Sequence, residues 1–139
     1  MNPAVIAVIL GGLGLIFGSF IAAVSVRLPR EQDIVAQRSR CMACEQPLRP
    51  WELVPVLSWL ALRGRCGRCR TPISRRYPLV EIGAAVIGVW AGLATPDAAF
   101  AIASAVLGWQ LLLIALIGGH VVWVPVVACV LMVLPGVLA

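Results

Sequence analysis

The sequence predicts an all-α membrane protein of about four transmembrane helices, with one polar module inserted between the first and the second. Three observations predict it. Apolar residues fill 61% of the 139 positions and charged residues only 12%, far from the balance of a soluble domain. All eleven arginines fall between Arg27 and Arg76, and there is no lysine. Two Cys-x-x-Cys pairs, Cys41 with Cys44 and Cys66 with Cys69, lie inside that same basic stretch.

No charged residue occurs from Met1 to Val26, and ~20 apolar residues are enough to cross the hydrocarbon core, so residues 1–26 read as the first span. A cleaved signal peptide carries positive charge ahead of its apolar run, whereas here the arginines come only after it. That order puts the N-terminus outside and the following loop in the cytoplasm. Gly14 and Gly18 form a small-xxx-small pair that permits close helix contact, and a generic packing groove is its simplest meaning.

Residues 27–77 form the polar module, with eleven arginines against Glu31, Asp33, Glu45 and Glu52. Thiols on the cytoplasmic side stay reduced, which favours a metal site over a pair of disulfides. Two residues inside each cysteine pair let a tight turn aim both sulfurs at one point, and two such knuckles complete the tetrahedron of a structural Zn²⁺ site. Cys41, Cys44, Cys66 and Cys69 are therefore the candidate ligands, with Arg40, Arg65, Arg68 and Arg70 beside them to offset the surplus thiolate charge. Few apolar residues lie near the knuckles, so the metal would hold the module together. The stretch from Trp51 to Leu62 has two open readings, a short helix at the membrane surface or an internal plug beneath the metal. The net charge of +5 belongs to this one loop, which suits anionic lipid and not the exposed basic stripe of a nucleic-acid-binding module.

Residues 78–139 read as a three-helix membrane region. Pro78 opens a second span over about 79–94, with proline in the first turn and Glu81 in that turn as well. Glu81 either satisfies free backbone N–H groups and the helix dipole or is a functional polar group at membrane depth. Thr95-Pro96-Asp97 makes an outer turn, residues 98–117 return as a third span, and Gln110 within it suits an interhelical hydrogen bond. Gly118-Gly119-His120 interrupts, and residues 121–138 suit a fourth span. His120 has no chemical partner beside it in sequence, and Cys129 sits among apolar residues as a small hydrophobe. No phosphate-binding glycine loop, heptad array or internal repeat is visible.

Gly18-Ser19-Phe20, Arg27-Leu28-Pro29-Arg30, the two knuckles, Val54-Pro55-Val56-Leu57-Ser58-Trp59, Arg63-Gly64-Arg65-Cys66 and the run from Pro72 through Tyr77-Pro78-Leu79-Val80-Glu81 together resemble the N-terminal half of bacterial prepilin leader peptidase/N-methyltransferases. The match runs over residues 14–81, and beyond Glu81 only hydrophobicity and helix spacing agree. The resemblance implies a multi-pass inner-membrane protein handling type IV prepilins or type II secretion pseudopilins. Such enzymes cut the leader at the cytoplasmic face and methylate the new N-terminal amine from S-adenosylmethionine. It also implies that Cys41, Cys44, Cys66 and Cys69 are the family's tetrad, and that Glu81 is the glutamate closing its Tyr-Pro-Leu-Val-Glu run.

One departure bears on the chemistry. Proteolysis in the family uses two aspartates, one to activate water and one to polarise the scissile carbonyl. The first closes an apolar run like Leu111 to Ile117, and here Gly118 follows instead. The second belongs to a Gly-x-Gly-Asp motif that these residues do not contain, and Asp97 is the sole acid after Glu81. The expectation is a non-proteolytic relative, with no catalytic residue assigned, that binds pilin-like membrane segments or an active homologue. The alternatives are a structural or assembly subunit of a larger membrane complex, and an N-methyltransferase-only member using S-adenosylmethionine. The lipid bilayer and other membrane proteins are the expected partners, and nucleic acid is not.

Overall fold

The computed structural model describes residues 2–27 and 40–118. Three helices in it are long and apolar enough to cross a membrane: α1 over Pro3–Arg27, α3 over Arg76–Ala94 and α4 over Ala98–Ile117. At 1.5 Å per residue each matches or exceeds the ~30 Å hydrocarbon thickness to within a turn. A short helix, α2 over Leu57–Ala61, and a 3-10 turn over Pro50–Leu53 lie in the polar module. The expected fourth span over 121–138, with His120 and Cys129, lies outside the described residues.

Local chemistry sets each boundary. Pro3 occupies the first turn of α1, where its missing N–H is no loss, and the Asn2 side chain accepts from Ala4 N at 2.9 Å. Asp97 caps α4 by accepting from Phe100 N at 2.8 Å, the usual work of an aspartate at that position. Gly118 follows the last turn of α4, its N–H donating to Ile114 O. α3 begins at Arg76, three residues before the expected start at Leu79, so Glu81 sits in the second turn instead of the first.

The main interface joins α1 and α3 as antiparallel partners. Gly14 faces Ala84 and Ala85, Gly18 faces Glu81, Gly88 faces Leu10 and Gly92 faces Ala7. A Cβ on Gly14 would come within 2.8 Å of Ala85 Cα, and one on Gly18 within 2.7 Å of Glu81 Cα, distances that side chains do not tolerate. Both Gly14 and Gly18 thus serve backbone-to-backbone packing, the means by which helices associate where hydrophobicity gives no net drive. Glycines at the crossing come from both helices, not from α1 alone.

α4 leans on this pair through Ala101, Ala105 and Trp109, all buried. The Trp109 indole donates to Ala84 O at 2.9 Å, and its ring stacks on Phe17 at 5.0 Å. Gln110 lies on the exposed side of α4 and forms no hydrogen bond among the described residues. The interhelical bond expected of it comes from its neighbour Trp109, because burying an indole leaves an N–H that must find a carbonyl. The Arg76 guanidinium donates to Leu116 O at 3.0 Å, which ties the start of α3 to the end of α4. The end of α1 and the metal module lie at that same end of the bundle.

Candidate metal centre at the membrane rim

Each cysteine pair is a compact turn, and the two turns share one design. Cys41 N donates to Gln46 O at 3.0 Å and Glu45 N to Cys41 O at 2.9 Å. In the second turn Cys66 N donates to Thr71 O at 2.9 Å and Arg70 N to Cys66 O at 3.1 Å. Arg40 bridges Pro47 and Arg65 bridges Pro72. The residue after each second cysteine has positive φ, 55° at Glu45 and 60° at Arg70. The chain therefore carries an internal repeat that its sequence seemed to lack, Arg-Cys-x-x-Cys-x-x-Pro at 40–47 and again at 65–72. Arginine and proline flanking each pair are the overlooked signal.

The two knuckles face each other. All four cysteines are free, and their sulfurs lie within 4.8 Å of one another. Cys41 Sγ and Cys69 Sγ, one from each knuckle, are 3.7 Å apart. Four sulfurs at ~2.3 Å from a common centre have tetrahedral edges near 3.8 Å, so the arrangement fits a tetrahedral metal ion. Arg68 joins the knuckles by donating to Gln46 Oε1 at 2.9 Å. Thiol acidities differ across the site. The hydroxyl of Thr71, 3.2 Å from Cys69 Sγ, and the Thr71 backbone lower Cys69 to about 6. The Gln46 backbone lowers Cys44, but desolvation and the thiols of Cys69 and Cys41 outweigh it and push Cys44 up to about 11.

In the link between the knuckles, residues 51–62, the two tryptophans point opposite ways. Trp59 turns inward, donating from Nε1 to Ile73 O at 3.2 Å and lying over Gly64. Gly64 has φ +67°, and a Cβ there would sit 2.6 Å from Trp59 Cζ2. Trp51 turns outward, 62% exposed, with the Arg49 guanidinium 5.4 Å from its ring centroid.

Glu81 does satisfy a backbone N–H, but one in the module and not in the first turn of α3. Only 6% exposed, its carboxylate accepts from Val56 N at 2.6 Å, 25 residues back in the chain. Val56 has φ 59° and ψ −52°, and Leu57 N donates to Pro55 O across it at 2.5 Å. This is a tight γ-turn in a conformation strained for a β-branched residue. The hydrogen bond from Val56 N, at the centre of that turn, to the buried Glu81 side chain holds it in place. Since Gly18 packs on Glu81 Cα, α1, α3 and the module meet at one point.

An apolar groove runs between α1 and α4, lined by Leu10, Leu13, Phe17, Ile102, Val106 and Trp109 among others. Among the described residues its lining is apolar, which suits an apolar segment.

Residues 13–95 match the family model for the bacterial peptidase A24 N-terminal domain. A Myxococcus xanthus prepilin leader peptidase/N-methyltransferase is 55% identical over 76 residues, covering 55% of this chain and 23% of the relative. A Pseudomonas putida protein of the same name is 37% identical over 139 residues, 84% of this chain and 48% of the relative. The type 4 prepilin-like proteins leader peptide-processing enzyme of Escherichia coli O78:H11 is 35% identical over 141 residues, 88% of this chain and 52% of the relative. The chain thus spans about half or less of the length of these curated relatives. No solved structure matches it. With a matched segment that takes in most of α1, both knuckles, Glu81 and all of α3, this membrane protein belongs to the bacterial peptidase A24 N-terminal domain family.

Proposed function

We propose that this chain is a prepilin-peptidase-like membrane protein that holds pilin-like apolar segments, alone or beside an active homologue, and does not cut them itself. The observation that carries the reading is the end of α4. Ile117 is followed by Gly118, and the nearby polar contact is the Arg76 guanidinium on Leu116 O, with no carboxylate on α4 at all. Aspartyl chemistry needs two acids close enough to share a proton. Glu81 lies near the module end of α3, and Asp97 caps α4 at the far end. The 13 residues from Glu81 to Ala94 alone set the two acids roughly 20 Å apart along the bundle axis.

Prepilin is the substrate class that the relatives' names supply, and the groove between α1 and α4 supplies a complementary apolar surface. The metal in this reading is Zn²⁺, bound by Cys41, Cys44, Cys66 and Cys69, structural because all four positions are filled by protein. The arginine-rich module faces the bacterial cytoplasm at the inner membrane.

The test mixes purified full chain with a prepilin, with and without a full-length peptidase relative. The expected result is prepilin that copurifies uncut with the chain alone and is cut once the relative is added. Cleavage by the chain alone contradicts the proposal. So does stoichiometric recovery in a large complex with no affinity for prepilin, the outcome an assembly subunit would give.

A further inference from the structure

We infer that the link between the knuckles is sunk into the bilayer interface, with Trp51, Leu53, Leu57 and Leu60 as its lipid-facing side and Glu81 setting its depth. These side chains are 62%, 43%, 65% and 58% exposed, while Trp59 in the same stretch is turned inward. Leu57 and Leu60 stand three apart on α2 and so share a face. Glu52 is the one acid in the stretch, and it is turned away to accept from Arg49 N at 2.8 Å beside Gly67. What remains outward is apolar with a basic edge, Arg49 at one end and Arg63 at the other. That chemistry complements an anionic phospholipid surface.

Depth follows from the Glu81 bond. Glu81 is five residues beyond Arg76, the first residue of α3, and therefore roughly 7.5 Å along the helix from that charged rim. Val56 N is fixed to its carboxylate, so the turn that starts α2 is held at the same level. Amphipathic segments lying in the interface sink by ~5–10 Å. α3 at this level is itself apolar on its outward side, with Leu79 at 66% and Ile82 at 45% exposure. A spanning helix thus carries a carboxylate at the one depth where it pins an interfacial segment.

The experiment uses the full chain in nanodiscs of phosphatidylcholine with phosphatidylglycerol, with p-benzoylphenylalanine replacing Leu60 or Leu57, and Arg70 on the second knuckle as the comparison position. Irradiation should give phospholipid adducts at positions 60 and 57 several-fold above position 70, read by mass spectrometry. Cross-links mainly to protein, of this copy or another, or lipid adducts no higher than at position 70, overturn the inference. Glu81→Ala should cut the adduct yield at position 57 several-fold while metal content holds, and Glu81→Gln, which keeps an acceptor for Val56 N, should restore much of it. An unchanged yield in Glu81→Ala removes Glu81 from the account of depth. If that variant fails to fold, quenching of Trp51 fluorescence by brominated lipid, taken as wild type minus Trp51→Phe, decides the lipid contact, and absence of quenching overturns it.

Discussion

In the proposed metal site, Cys69 and Cys44 would divide the work of capture. With Thr71 beside it lowering Cys69 to about 6, a thiolate is ready at neutral pH. Cys44, held at about 11, keeps its proton until a metal displaces it. The sign follows directly. A depressed thiol favours the site above its own value and withdraws support as pH falls through it, so metal affinity, already falling with pH through proton competition at Cys44, should drop more steeply below about pH 6. Binding at pH 7 should release at least one proton per site, measurable with an indicator dye in weak buffer. Flat affinity between pH 5 and 8 would count against this arrangement. Gly64 is the other sensitive residue, because its positive φ and the Trp59 ring both exclude a side chain. Gly64→Ala should destabilise the module by about 2 kcal/mol, seen as a lower urea midpoint for metal release, whereas Gly12→Ala, with open space around it, should change nothing.

At the level of elements, the α1–α3 crossing depends on backbones that touch. Gly88→Leu places a side chain against Leu10 O and should separate the helices, lowering thermal stability by several degrees or abolishing expression, while Gly83→Leu, on an open face, should be tolerated. The three described helices were legible because their cause is local. Uncharged runs of helical length, the proline near the head of α3 and the aspartate ahead of α4 are all written in consecutive residues, and residues 98–117 agree at both ends with α4. The clustering of the four cysteines was legible for the same reason. Glu81 was not. Its partner is a backbone N–H 25 residues away in a strained turn, and neither hydropathy nor spacing encodes such a bond. The knuckle repeat was missed because only four of its eight positions recur, while the shared feature lies in backbone conformation at Glu45 and Arg70.

On the scale of the whole molecule, the closely packed pair α1 and α3, α4 leaning on it and the small four-cysteine module meet at one end of the described bundle. Among the described residues the module has little apolar interior beyond Trp59 and the buried Cys66, so a bound metal would supply much of its folding free energy. Cys66→Ser should release the ion and loosen residues 40–72 to proteolysis, while leaving α1, α3 and α4 helical by circular dichroism. Metal analysis of the purified full chain tests this centre most directly. About one zinc per chain is the predicted result, and a metal-free chain whose 40–72 segment resists protease as the wild type does would contradict it.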